Sequence, residues 1–135
     1  MTVLDTSAVI DFLLADGVAS DVQALLAREG SITAPDLLVS EVLAVLRRDV
    51  RRGTITATRA AAAIEDLGDL SLELFPTLAF APRAWELREN LTAADASFVV
   101  RAERLGEPLA TKDGGLARAA LAVADIDVIH LLAPS

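Results

Sequence analysis

Two kinds of apolar pattern alternate along the chain, short unbroken runs and longer stretches with a repeat of three or four residues, and each change is marked by a polar or glycine residue. Thr2 to Asp5 reads as a first strand. Thr6 and Ser7 then serve as N-cap residues for a helix through Ile10, Leu13 and Leu14. From Val18 to Glu29, Val22, Leu25 and Leu26 fall at helical spacing; Gly30 ends that helix, and Ser31 to Ala34 forms a second strand. Pro35 and Asp36 open a helix that carries Leu38, Val42, Val45 and Leu46 on one side and runs out in Arg47, Arg48, Asp49, Val50, Arg51, Arg52 and Gly53. The remaining expectations are a helix over 56–67, a strand over 72–75, helices over 82–89 and 93–105, a strand over 108–111, a helix over 113–122 and a strand over 126–130.

Strand and helix alternating with short links predict an α/β fold, a parallel sheet of four to five strands covered by helices on both faces. With 135 residues, 53% of them hydrophobic, and neither repeat nor linker, the chain reads as one domain over 1–135.

Charge and composition remove several function classes. The net charge of −8 repels nucleic acid at long range, so a nucleic-acid partner has to be held by local contacts. Absence of cysteine rules out disulfides and thiolate zinc sites. His130, the sole histidine, rules out a histidine-rich metal site and, set among Val128, Ile129, Leu131 and Leu132, reads as a strand residue. Phe12, Phe75, Phe80, Phe98 and Trp85 lie in apolar settings and offer no base-stacking platform. Neither a signal-peptide pattern nor an apolar run of spanning length is seen, which predicts a soluble cytoplasmic protein without a membrane partner.

Four acids stand out against this pattern. Asp5 and Asp113 each follow a strand and precede a helix, at the sheet edge where folds of this class bind ligands. Glu41 lies three residues after Leu38 and four before Val45, and Asp95 stands three, four and seven residues before Phe98, Val99 and Ala102, so both fall on an apolar stripe. Each has a plainer role available: a helix cap for Asp5, a capping box with Thr92 for Asp95, an ion pair with Arg47 or Arg48 for Glu41, a turn for Asp113 before Gly114 and Gly115. Taken together they point elsewhere. Two carboxylates about 4 Å apart repel by roughly 4 kcal/mol at an effective dielectric near 20, and a hard divalent cation converts that repulsion into affinity. Oxygen-only ligation suits Mg2+ or Mn2+, and the chemistry it suggests is phosphodiester hydrolysis.

The segments Val3-Leu4-Asp5-Thr6-Ser7-Ala8, Ser40-Glu41-Val42, Leu91-Thr92-Ala93-Ala94-Asp95-Ala96 and Leu109-Ala110-Thr111-Lys112-Asp113 resemble those of the PIN-domain ribonucleases, and among them the VapC-type toxins of toxin–antitoxin pairs. The resemblance implies a PIN-like fold with Asp5, Glu41, Asp95 and Asp113 as catalytic, metal-binding acids, and Ser7 and Thr111 as hydroxyls that orient carboxylates or waters. It implies Mg2+- or Mn2+-dependent endonucleolytic cutting of structured RNA, of the tRNA or rRNA class. A homodimeric toxin, a small cognate antitoxin and a higher VapBC-type hetero-oligomer are implied as well. Gly114 and Gly115 replace the acid or amide that many relatives carry after the fourth acid, which leaves the number of metal ions open.

Arg47, Arg48, Arg51 and Arg52 form a basic patch, and with Lys112 they are candidate phosphate contacts. A solvated helix end is the plainer account of the patch. Arg118 also flanks Asp113. Leu, Ala and Val in helix after helix predict apolar surface left over for an oligomer or antitoxin interface. The competing function classes are a receiver-like phosphoacceptor domain, which needs a lysine meeting the phosphoryl group, and a PIN-like binding module without turnover.

Overall fold

The computed structural model describes residues 1–132. Five parallel strands form one sheet: β1 (Thr2–Leu4), β2 (Ile32–Pro35), β3 (Leu72–Phe75), β4 (Leu109–Thr111) and β5 (Val128–His130), in the order β3-β2-β1-β4-β5. The helices are α1 (Thr6–Leu13), α2 (Ala19–Glu29), α3 (Leu37–Arg51), α4 (Ala57–Asp69), α5 (Ala81–Glu86), α6 (Ala93–Leu105) and α7 (Gly114–Val123). Successive connections step one way from β1 through β2 to β3 and the other way from β4 to β5. Right-handed crossovers then place α1 to α4 on one face and α5 to α7 on the other. Strand order reverses between β1 and β4, so a crevice opens there at the carboxyl edge of the sheet.

Burial explains the element boundaries. All residues of β1, β2 and β4 are buried, as expected for central strands covered on both sides. Helix α6 is buried continuously from Ala96 to Ala102 and packs on β1, β2 and β4, which makes it the central helix of its face. It also carries a charge into the interior: Arg101, 4% exposed, lies over the Phe75 ring and donates from Nε to Thr33 Oγ1 at 3.1 Å. Gly30 and Gly106 close α2 and α6 in the left-handed conformation that glycine adopts without steric cost, and the stop at Gly30 is the one the sequence predicts.

Three local expectations are corrected. Asp5, rather than Thr6 or Ser7, caps α1: its backbone is extended, and its carboxylate accepts the Ala8 N–H at 3.1 Å. Pro35 ends β2 instead of opening α3. Pairing with β3 survives the missing donor, because the next residue, Asp36, donates its N–H to Phe75 O at 2.7 Å. The helix expected over 82–89 begins earlier and ends sooner, as a 3-10 turn over Thr77–Phe80 followed by α5.

Phe98, 1% exposed, fixes α6 into the core. Phe98→Ala is expected to cost about 3–5 kcal/mol. In thermal unfolding followed by circular dichroism this lowers Tm by roughly 10–18 °C.

Candidate active site

Pairing of β1 with β4 sets the geometry. Leu4 stands opposite Ala110, and the Asp5 N–H donates to Ala110 O at 3.2 Å, so the residues just beyond, Asp5 and Thr111, lie side by side at the sheet edge. Thr111 Oγ1 accepts the Asp113 N–H at 3.0 Å, which directs its own proton to Asp5 Oδ2 at 2.6 Å. Ser7 Oγ donates to the same carboxylate at 2.9 Å. Asp5 therefore carries three donors, two from the start of α1 and one from the end of β4, and is 5% exposed.

Around this group an open cleft of about 800 Å³ gathers Asp5, Glu41, Asp95 and Asp113, together with Ser7. Thr6, next to Asp5, faces α3 and donates its hydroxyl to Glu41 Oε1 at 2.5 Å. The Asp95 N–H is capped by Thr92 Oγ1 at 3.2 Å, one half of the expected capping box, while its half-buried side chain lines the cleft. Asp113 caps α7 by accepting the Leu116 N–H at 3.1 Å and is exposed. The capping roles and the cleft positions are thus held by the same residues.

Electrostatics are strained in one direction. Burial pushes the Asp5 pKa up from its ordinary value, against the bonds from Thr111, Ala8 and Ser7, and the charge of Asp95 adds to the rise. Burial also raises Asp95; Asp113 adds to the rise and Thr92 opposes it. Among the described residues none of the four acids has a cationic side chain within ion-pair distance. The cations that line the cleft are engaged elsewhere. Lys112 Nζ is on Asp11 Oδ1 at 2.8 Å, Arg48 lies 3.6 Å from Asp49, and Arg59 donates to Leu13 O at 2.8 Å.

An oxygen-only, negatively charged donor set without a protein counter-ion fits Mg2+ or Mn2+. Among the described residues no three acidic or histidine side chains stand close enough to enclose an ion alone. Ligation through one or two carboxylates with retained waters, the habit of Mg2+, matches this arrangement.

The PIN domain family model matches residues 2–121 of the chain. The chain belongs to the PIN-domain family. A VapC ribonuclease of Mycobacterium bovis is 36% identical over 129 residues, covering 96% of this chain and 98% of the relative. Ribonuclease VapC1 of Mycobacterium tuberculosis is 38% identical over 121 residues, covering 87% and 89%. Among solved structures, PAE2754 from Pyrobaculum aerophilum superposes with a TM-score of 0.67 at 21% identity, covering 93% of this chain and 87% of that one. FitAcB from Neisseria gonorrhoeae superposes at 0.61 with 20% identity, covering 96% and 97%.

Within this PIN domain the predicted basic patch divides. Arg48 lines the acidic cleft, whereas Arg47 and Arg51 line a separate groove between α3 and α4, with Leu43, Val50 and Ile64; Arg52 lines neither. Helical geometry separates neighbours by about 100°, so a run of arginines cannot serve one surface. Lys112 lines the cleft with its ammonium bound to Asp11. Thr6, Asp11 and Arg59 also line the cleft, beyond the acids, hydroxyls and basic residues that the sequence marks. Thr6 adjoins Asp5 in sequence, a signal that could have found it; Asp11 and Arg59 give none. Phe98 forms cleft wall while almost wholly buried, and Trp85 is 67% exposed beneath Arg88, so no cleft aromatic offers a stacking face.

A carboxyl whose pKa is raised in the folded state imposes a penalty that is absent below its unfolded pKa and complete above its folded one. In metal-free buffer, Asp95→Asn is therefore expected to match or exceed the native Tm at pH 7. That advantage shrinks as pH falls through the carboxylate range, as differential scanning fluorimetry from pH 3.5 to 8 will show.

Proposed function

We propose that this PIN domain is a Mg2+- or Mn2+-dependent endoribonuclease, the toxin of a VapBC-type pair. The observation that carries the reading is the cleft itself, lined by four carboxylates from three helix starts and one helix flank, none of them ion-paired among the described residues. The names of the VapC ribonuclease relatives supply the substrate class, RNA. Structured RNA of the tRNA or rRNA class is the proposed target.

One or two of Asp5, Asp95, Asp113 and Glu41 would hold the ion directly, and the others through its retained waters. When bound, it polarises a phosphate oxygen, lowers the pKa of a water and offsets charge developing at phosphorus. The chain's own residues prepare that event. Ser7 and Thr111 fix the Asp5 carboxylate by donating to it, which leaves its remaining lone pairs for the cleft. Thr6 orients Glu41 in the same way. Because Thr111 also takes the Asp113 N–H, a shift of either loop disturbs both acids. Lys112 and Arg48, at the cleft, are proposed to meet phosphate; Arg47, Arg51 and Arg52 lie off it and are less suited to that role.

A cognate antitoxin and a homodimer are proposed partners, supported by apolar side chains left outside the core. Leu78, Trp85 and Leu121 are 83%, 67% and 58% exposed. No described helix is long and apolar enough to cross a membrane, and action in the cytoplasm is proposed.

Purified, partner-free protein is expected to cut cellular RNA when Mn2+ or Mg2+ is added and to stop when EDTA is added. Asp5→Asn and Asp95→Ala are each expected to lower the rate at least ~100-fold, about 2.7 kcal/mol of barrier. Sequencing the new ends identifies the target. Equal cutting by the native chain and Asp95→Ala would sink the catalytic reading, and a metal-dependent Tm rise without any cutting would favour the binding module.

A further inference from the structure

The α1–α2 turn is folded around one carboxylate that is not among the four acids. Asp11, on the second turn of α1, is 8% exposed and has both oxygens engaged: Oδ2 accepts the Val18 N–H at 3.1 Å, and Oδ1 accepts Lys112 Nζ at 2.8 Å. Its own carbonyl takes the Asp16 N–H at 3.0 Å. The turn is shaped to this side chain. Gly17 has φ +50°, and a Cβ there would stand 2.0 Å from Asp11 Oδ2, so any other residue would expel the carboxylate. Ala15 also adopts positive φ, at 53°, an uncommon conformation for a residue with a Cβ.

What Asp11 holds is the single lysine of the chain. Lys112 sits between Thr111, whose hydroxyl is on Asp5, and Asp113, and its backbone is anchored where β4 ends. Its flexible stem makes the four acids the obvious destination for its ammonium, since they share the cleft and lack a counter-ion. The ammonium nevertheless pairs with Asp11.

We propose that Asp11 is a positioning residue that keeps the Lys112 ammonium out of the acid cluster, so that those acids remain free for a divalent cation while the lysine waits at the cleft. The inference rests on the divalent-metal reading of the four acids and adds a reason for the cleft's separation of charge. A lysine released from Asp11 would act as an internal competitor, filling with one fixed charge the site that a divalent ion needs. The substitution Asp11→Asn suits the test because an amide oxygen still accepts the Val18 N–H while the attraction for the ammonium is lost.

Isothermal titration of metal-free protein with Mn2+, on the native chain, Asp11→Asn, Lys112→Met and the double variant, reads the effect without RNA cleavage. Asp11→Asn is expected to weaken Mn2+ binding on the order of tenfold. In the Lys112→Met background the same change should have little effect, because no competitor is left to release. Equal loss in both backgrounds would overturn the proposal, since Asp11 would then act through its own charge or the fold. Unchanged affinity in Asp11→Asn would overturn it as well. Failure of the native chain to bind Mn2+ would overturn both this inference and the metal reading, whereas tight native binding with additive variants removes this inference alone. The lone lysine gives one ε-methylene signal in a 13C-lysine sample, which supplies a check should Asp11→Asn fold poorly. In the native chain Mg2+ is expected to leave that signal nearly unmoved; a large shift on Mg2+ addition would place the ammonium among the acids and overturn the proposal.

Discussion

The hydroxyl of Thr111, shared between Asp5 and the backbone of Asp113, is the contact on which the site depends. It exists because two central parallel strands end in register, Leu4 opposite Ala110, at the point where strand order reverses. One buried side chain thereby joins the loop after β1 to the loop after β4, and the donor and acceptor capacities of both are matched. Such a link in a low-dielectric edge is stiff, since breaking it would leave a buried polar group without a partner.

Charge in the cleft is sorted rather than balanced. Seven carboxylates and three cationic side chains line it, yet each cation is committed to a rim partner and none to the four candidate ligands. Folding therefore has to tolerate Asp5 and Asp95 in surroundings that disfavour their ionised forms. A purely structural core would have neutralised or replaced them. The tolerance is understandable if, as proposed, the missing positive charge arrives from solvent as a hard cation.

Surrounding elements supply the rigidity this needs. Helix α6 presents Asp95 in its first turn and is buried through its middle, so the acid is tied to the core and not to a mobile loop. Helix α1 begins on the Asp5 cap and holds Thr6 toward Glu41 and Asp11 toward Lys112, three services from one short helix. Apolar residues stranded on α5, α7 and the α3–α4 groove lie away from these contacts.

Much of this was readable along the chain. Hydrophobic period, glycine stops and capping residues determined the order of strands and helices and their α/β class, because those signals act over a few residues of backbone. The four acids were legible too, each as a charge where its local pattern calls for an apolar or capping residue. What neighbouring residues could not decide was pairing. The Thr111–Asp5 bond spans 106 positions and the Lys112–Asp11 pair 101, and both follow from strand register and from how α1 crosses the sheet edge. The division of the arginine run between two surfaces had the same origin, for a helix face acquires a meaning only when something packs beside it. Local sequence determined which charges exist and on which element each is carried; tertiary packing alone decided which of them meet, because Coulomb and hydrogen-bond energies depend on separation in space and not along the chain.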